Sequence, residues 1–215
     1  GNVNQAIATA SLYGNRHRFV GSAFKAFEWS ETQMTSIGVF FEAAQGGRFS
    51  YTYSGNINND GSGLNDLIYI PTDGEVDQMA FDPTFATEAD QRAAMKAFLA
   101  QDEYTSGRRG EYAEKYAILS PWYSRIDLRV LHDISFAAGE KPNTIQLSMD
   151  ILNFGNLISS NWGVRQLPVN TQPIGVTVNG TDPVYSFDTN LTSTFTDDFS
   201  LLSRWQMQFG IRYSF

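Results

Sequence analysis

The chain has no cysteine and two histidines, His17 and His132. No disulfide framework is available, which suits a compartment where an unpaired thiol is a liability. Long apolar runs are missing too. The longest uncharged apolar stretch, Ile37 to Phe41, falls far short of the roughly 18 residues that a membrane-spanning helix needs. Any membrane form must therefore be built of strands, because only helices and closed barrels satisfy their backbone groups in lipid. Positive charge is scarce: 15 Lys and Arg stand against 23 Asp and Glu, a net of −8, which argues against nucleic acid as a partner. The start carries no signal peptide and reads as a mature chain or a piece of one.

Aromatic residues are plentiful, 30 of 215, as the interfacial girdles of a transmembrane β-barrel require. From Trp205 to Phe215 the pattern alternates without a slip. Trp205, Met207, Phe209, Ile211, Tyr213 and Phe215 fall on one side; Gln206, Gln208, Gly210, Arg212 and Ser214 fall on the other. Successive strand side chains face opposite ways, so this is an apolar face backed by a polar one. With Gln208, Gly210, Tyr213 and a terminal Phe215, the ending resembles the assembly signal that the barrel insertion machinery reads in outer-membrane β-barrels.

The same period recurs upstream. Ile126, Leu128, Val130, Ile134 and Phe136 alternate with Arg125, Asp127, Arg129, Asp133 and Ser135, and His132 is the polar member of the outward set. Ile145 to Ile151, Ile37 to Phe41, and Phe49, Tyr51 and Tyr53 behave likewise. Arg16 to Trp29 is strand-like with two competing phases, and Gln5 to Leu12 reads as the end of an earlier strand. These segments run about ten to thirteen residues. That length spans an apolar band of roughly 25 Å at a tilt near 40° and exceeds the five or six residues usual in globular strands.

The expected fold is all-β: an antiparallel barrel segment of about six full strands, the C-terminal part of a larger barrel over 1–215. Six strands alone would leave two unsatisfied edges in lipid. Ala44 to Gly47 and Ala137 to Pro142 read as short periplasmic turns. Ser54 to Trp122, 69 residues, and Phe154 to Ser203, 50 residues, read as extracellular loops. Parity then places the short Ser30–Gln33 link outside, against the trend.

Several further motifs appear in order: Asn15-Arg16-His17-Arg18-Phe19-Val20, Gly47 to Tyr53, Gly55 to Gly61, Asn65 to Pro71, Pro121-Trp122-Tyr123 before Ile126-Asp127-Leu128-Arg129, and Leu147 to Asn156. Together they resemble the C-terminal barrel of TonB-dependent outer-membrane receptors, most closely the Oar-like branch of Bacteroidota that often carries a carboxypeptidase-regulatory-like domain. The resemblance implies a barrel of 22 strands around a plug, coupled to TonB, that imports a ligand across the outer membrane. It implies outer-membrane lipid and lipopolysaccharide, the rest of the barrel and its plug, TonB, and the assembly machinery as partners. Neither plug nor TonB-binding segment is in this stretch. The alternative is a receptor-like barrel that serves as a structural or docking subunit of an envelope complex, meeting other proteins through its loops.

The candidate sites are few. Asn56, Asn58, Asp60 and Ser62, followed by Asp66, match the start of a calcium loop, with Gly61 at the sixth position. Position twelve holds Leu67 where a glutamate belongs, and a plain Asn/Asp/Gly turn cluster is the competing reading. Beyond this calcium no cofactor is expected. A helix is expected over Thr87–Asp102, opened by a Thr87/Asp90 capping pattern and striped by Ala94, Met95, Phe98 and Leu99. Packing on its own loop and binding a partner are the two uses of that stripe. The 54–122 segment holds 12 acidic and 5 basic residues, a net of −7, and reads as an ordered cap in which Phe81, Phe85, Phe98, Tyr104, Tyr112 and Tyr116 find something to bury. Arg125, Asp127, Arg129, Asp150 and Arg212 would line a lumen, paired with a plug or with one another across strands. Both histidines are expected near periplasmic strand ends, three strands and about 14 Å apart, too far to share a metal or a triad. With no catalytic constellation, the chain is not expected to be an enzyme.

Overall fold

The structure is a computed structural model that describes residues 8–14, 17–63, 65–139 and 141–215. Strand outweighs helix by 47% to 16%, and the fold is mostly β. The chain divides into two compact units. One comprises Asn15–Gly46, Pro121–Gln166 and Asp197–Phe215, and the other Gly1–Gly14, Gly47–Ser120 and Leu167–Thr196.

The first unit is a sheet of five long antiparallel strands, and among the described residues it does not close into a barrel. They are β1 (Arg18–Ser30), β2 (Gln33–Gln45), β3 (Trp122–Ala138), β4 (Lys141–Leu152) and β5 (Gln206–Ser214). Their spatial order equals their chain order, so the sheet is a meander. Each strand forms where the sequence alternates, and the registers align those alternations. Val130 lies opposite Ile37 on one side and Met149 on the other, and Met149 lies opposite Phe209. Residues opposite each other in a ladder share a face, so one phase runs through all five strands. It settles β1: Phe19, Gly21, Ala23 and Phe27 share the apolar face, while Val20 and Phe24 lie on the other.

Two connections are tight. Ser30 pairs Gln33, and Ala138 pairs Lys141 next to Gly139, whose φ of +71° is the left-handed value that two-residue hairpins demand. The other two connections leave from the opposite end of the sheet, where Gln45 meets Trp122 and Leu152 meets Gln206.

The expected six strands are thus five. Phe49, Tyr51 and Tyr53 do alternate, but they belong to the second unit, where only Arg48–Phe49 and Tyr53–Ser54 are strand. Removing that strand removes the parity conflict. Ser30–Gln33 and Ala138–Lys141 now lie at one end of the sheet with the C-terminus, and both long excursions leave from the other. The Ala44–Gly47 segment is no hairpin; it is the exit from the sheet. Of the Gln5–Leu12 stretch, residues 5–7 lie outside the described residues and 8–12 form no strand. Arg16 also lies outside them.

The second unit has its own core. Tyr51, Ile68, Ile70, Val76, Met95, Phe98, Leu99 and Ile174 are essentially inaccessible to solvent, each side chain worth about 1.5–3 kcal/mol of burial if it is a Leu, Ile, Val, Phe or Met. Both long excursions contribute. Ile174–Asn179 pairs antiparallel with Asp182–Phe187 and parallel with Tyr53–Ser54. Helices α1 (Asp73–Gln78), α2 (Glu88–Gln101) and α3 (Glu103–Ser106) cover this core. The Thr87 hydroxyl caps α2 by accepting the Asp90 N–H at 3.1 Å. Its Met95, Phe98 and Leu99 face inward, so the apolar stripe packs on its own unit. A complete capping box at Thr72 and Glu75 opens α1, which had not been expected. Of the aromatics expected to be buried, Phe81 and Phe98 are, whereas Phe85 and Tyr112 are about 70% exposed (71% and 69%). A short helix α4 (Phe154–Ile158) follows β4 in the sheet unit.

Candidate functional site

The sheet presents two chemically opposite faces. The apolar face is largely aliphatic in its middle, with Ile37, Val39, Leu128, Val130, Leu147, Met149 and Ile211 in register and Phe209 as an aromatic among them. Aromatic rings gather at its two ends. Where the long excursions leave, Trp122 stacks with Phe19 (centroids 6.0 Å) and with His17 (6.1 Å). At the tight-turn end, Phe27 stacks with Trp29, and Tyr213 stacks with both Phe136 and Phe215. Ten residues separate Phe19 from Trp29, and ten separate Trp205 from Phe215. That is about 33 Å along a strand, or about 25 Å across a layer at a 40° tilt. Among the described residues the charges in the phase of this face are Lys25, opposite Ile37, and Lys141 at the tight turn, opposite Ala138; the Lys25 ammonium lies 5.8 Å from the Phe27 centroid.

The opposite face is ionic. Arg129 and Asp150 are direct cross-strand partners joined by two contacts, Nε–Oδ1 at 2.5 Å and Nη2–Oδ2 at 3.1 Å. Arg125 Nε lies 3.3 Å from Asp127 Oδ1. The half-exposed Arg18 meets Glu42 Oε1 at 2.8 Å, and Arg125 reaches the other oxygen of Glu42 at 4.0 Å. Gln146 donates to Asp133 at 2.8 Å. Arg212 lies opposite Gln146 in the ladder, and with Arg129, Ser148 and Gly210 they line a concavity of about 470 Å³. All five expected lumen residues therefore share one face. Arg18, Glu42 and Asp133 had not been singled out, although each sits in the polar phase of its strand.

The terminal motif lies on β5. Gln208 and Gly210 lie opposite Asp150 and Ser148 on the ionic face, and Tyr213 lies opposite Ile145 on the apolar one. The Tyr213 hydroxyl donates to Asn143 Oδ1 at 2.5 Å.

The histidines do not share an end as expected. His17 stacks on Trp122, whereas Nδ1 of His132 lies 2.9 Å from the Thr35 hydroxyl, ten residues further along β3. The expectation placed the Phe49–Tyr53 segment among the strands and so inverted β1. Moving His17 further from His132 leaves them still unable to share a ligand.

In the second unit, Asn56, Asn58, Asp60, Ser62 and Asp66 are tied together by local hydrogen bonds. The Asp60 N–H donates to both Asn56 Oδ1 (3.2 Å) and Asn58 Oδ1 (3.0 Å). Asp60 Oδ1 accepts the Ser62 N–H at 2.9 Å. That bond, seconded by the Asn58 and Asn65 amides, holds the exposed Asp60 carboxyl below the usual carboxylate range. Asn58 Nδ2 donates to Asp66 Oδ1 at 2.6 Å and to Asp60 Oδ2 at 3.2 Å. Ser62 contributes its N–H to this cluster. Among the described residues, no three His, Cys, Asp or Glu side chains gather closely enough to hold a metal. Any cation here would rest on two carboxylates and neutral oxygens.

Compared with known proteins, the chain matches no family model, no curated protein and no solved structure. Among the described residues no helix is long and apolar enough to cross a membrane, which says nothing of crossing by strands.

Proposed function

We propose that the chain is part of the wall of an outer-membrane β-barrel of the TonB-dependent receptor kind, taking part in ligand import across that membrane. The observation that carries this reading is the apolar face: largely aliphatic in the middle, flanked by aromatic clusters at both ends, and spaced like the apolar band of a bilayer. The ionic face would then look into a wet lumen, and the second unit would stand on the cell exterior. The two free edges of the meander would be paired by further strands of the same barrel, because an open edge in lipid leaves backbone groups unsatisfied.

A docking role in an envelope complex is the second reading. It is favoured by the second unit, whose two excursions fold around a core of their own and could present a rigid surface. A plug and a TonB-binding segment in the same gene product would support import over docking.

The absence of cysteine makes the test clean. Single cysteines at Val130 and Leu131, adjacent on β3, are labelled with a spin probe in outer-membrane preparations. The Val130 probe should relax with a lipid-soluble quencher and the Leu131 probe with a water-soluble one. Aqueous behaviour at both positions would reject the membrane reading.

A further inference from the structure

We propose that the Asn56–Asp66 loop is a calcium site. The key residue is Asp66. It is 4% exposed, and its main-chain oxygen is held by the Tyr53 N–H at 2.8 Å. Its carboxyl group points into the loop, where Oδ1 meets Asn58 at 2.6 Å. Its other oxygen, Oδ2, is buried and has no hydrogen-bond partner among the described residues. Burying a carboxylate oxygen without a donor is costly, and a paired charge or a bound metal is the usual compensation. A cation between Asp66 and the loop supplies it.

The rest of the loop fits that role. Asn58 Nδ2 stands between the carboxylates of Asp66 and Asp60, a position that a cation can take over. Turning the Asn58 amide over would present its oxygen there. Asn56 Oδ1 and Asn58 Oδ1 converge on one N–H, that of Asp60, so the oxygens at positions one and three already lie close together. Gly61, at position six with φ +90°, makes the sharp turn that such a loop needs. Leu67, where a calcium loop would carry glutamate, is instead engaged as backbone in a bridge to Thr52. That bridge fixes Asp66 at the base of the loop, one position early.

The donor chemistry selects the ion. Every available donor is an oxygen, which suits a hard cation and not zinc or copper. Ca²⁺ accepts irregular sets of six to eight oxygens, whereas Mg²⁺ demands a tight octahedron and gives up water reluctantly. Two carboxylates are few, so the affinity belongs to the weak class of extracellular modules, on the order of 10⁻⁴–10⁻³ M. The surplus of 12 acidic over 5 basic residues across 54–122 raises the local cation concentration. The site rests on this loop alone and holds whether or not the sheet lies in a membrane.

The test uses the full chain folded in a phosphate-free detergent. Calorimetry with CaCl₂ should show one saturable site, and calcium should raise the unfolding temperature relative to EGTA. Asp66→Asn and Asp60→Asn should each weaken binding at least about tenfold, as expected for losing one of two charged ligands. Asp60 is exposed, so its variant remains informative should Asp66→Asn fail to fold. Absence of saturable binding up to about 10 mM Ca²⁺, well above the expected range, would overturn the proposal. So would wild-type affinity in Asp60→Asn, or an equal response to Mg²⁺.

Discussion

The carboxylate of Asp127 on β3 accepts the backbone N–H of Asn153 at 2.8 Å. Asn153, just beyond β4, holds a left-handed conformation with φ +53°, and its side-chain nitrogen donates to Gly163 O at 2.9 Å. Together these bonds turn the chain out of the sheet at the end of β4. Asp127 is therefore a structural anchor as well as a member of the ionic face.

Asp127→Ala should destabilise the sheet unit by about 1–3 kcal/mol, the cost of leaving a part-buried N–H without its acceptor. Asp127→Asn, which keeps an acceptor oxygen, should recover much of the loss. Thermal unfolding in detergent, followed by mobility of the unheated protein on gels, reads both variants. Equal stability of wild type and Asp127→Ala would remove Asp127 from the anchoring role.

Leu128 sits on the apolar face beside Val39 and Ile151. If that face meets lipid, Leu128→Arg should cost ~2–4 kcal/mol. Gln208→Arg, on the ionic face and opposite Asp150, should cost far less because its guanidinium gains a carboxylate neighbour. Refolding titrations into phospholipid vesicles compare the two, and the reverse order would invalidate the assignment of faces.

Gly55 has φ +132°, and a Cβ placed on it would lie 2.1 Å from the main-chain oxygen of Val176. The obstacle is backbone from the other excursion and cannot swing aside. Gly55→Ala should thus cost more than the ~1–3 kcal/mol of a strained residue alone. Limited proteolysis should cut Asn56–Asp66 and Ile174–Asn179 faster in the variant. Unchanged protection of both would contradict the close approach.

Alkaline pH should loosen the second unit. Burial pushes the hydroxyls of Tyr51 and Tyr53 well above their ordinary value of 10.0, with the neighbouring Asp102 adding to the shift at Tyr51. The folded state keeps these protons where the unfolded state would release them. The stabilisation is complete below about pH 10 and declines as pH rises through the raised folded values. Phenolate absorbance should show exposed tyrosines titrating first and these two only with unfolding. Ionisation of all ten tyrosines near pH 10 with the fold intact would show that they are not sequestered.

Removal of Phe215 should impair assembly. The terminal ring stacks on Tyr213, at the same end as the tight turns, where the proposed insertion signal would be read. Fractionated cells should show the truncated chain lost from the outer membrane. A normal amount of heat-modifiable protein in that fraction would defeat the assembly-signal reading.

Much of this structure can be read in the residues themselves. The alternation from Ile126 to Phe136, from Ile145 to Ile151 and from Trp205 to Phe215 determined three strands and their facing, since period two leaves one choice of side once a face is apolar. Helix α2 was equally legible, because Thr87 and Asp90 act within one turn and Ala94, Met95, Phe98 and Leu99 recur at helical spacing. The bonds from the Asp60 N–H to Asn56 and Asn58 are local as well and follow from their close spacing in the chain.

Tertiary structure alone decided what those patterns face. Phe49, Tyr51 and Tyr53 alternate as a membrane strand would, yet Tyr51 packs edge-on against Phe98 in a core. Period two reports a two-sided strand or near-strand and is silent on whether lipid or protein covers the apolar side. The phase of β1 needed its pairing with β2, because Phe19 and Val20 offer competing sets of similar apolarity. The joining of the two excursions rests on contacts such as Tyr53 with Ile174 and Gln91 with Phe187. Such contacts are set by burying a shared core across about a hundred residues of chain, and no local signal in either segment encodes its partner.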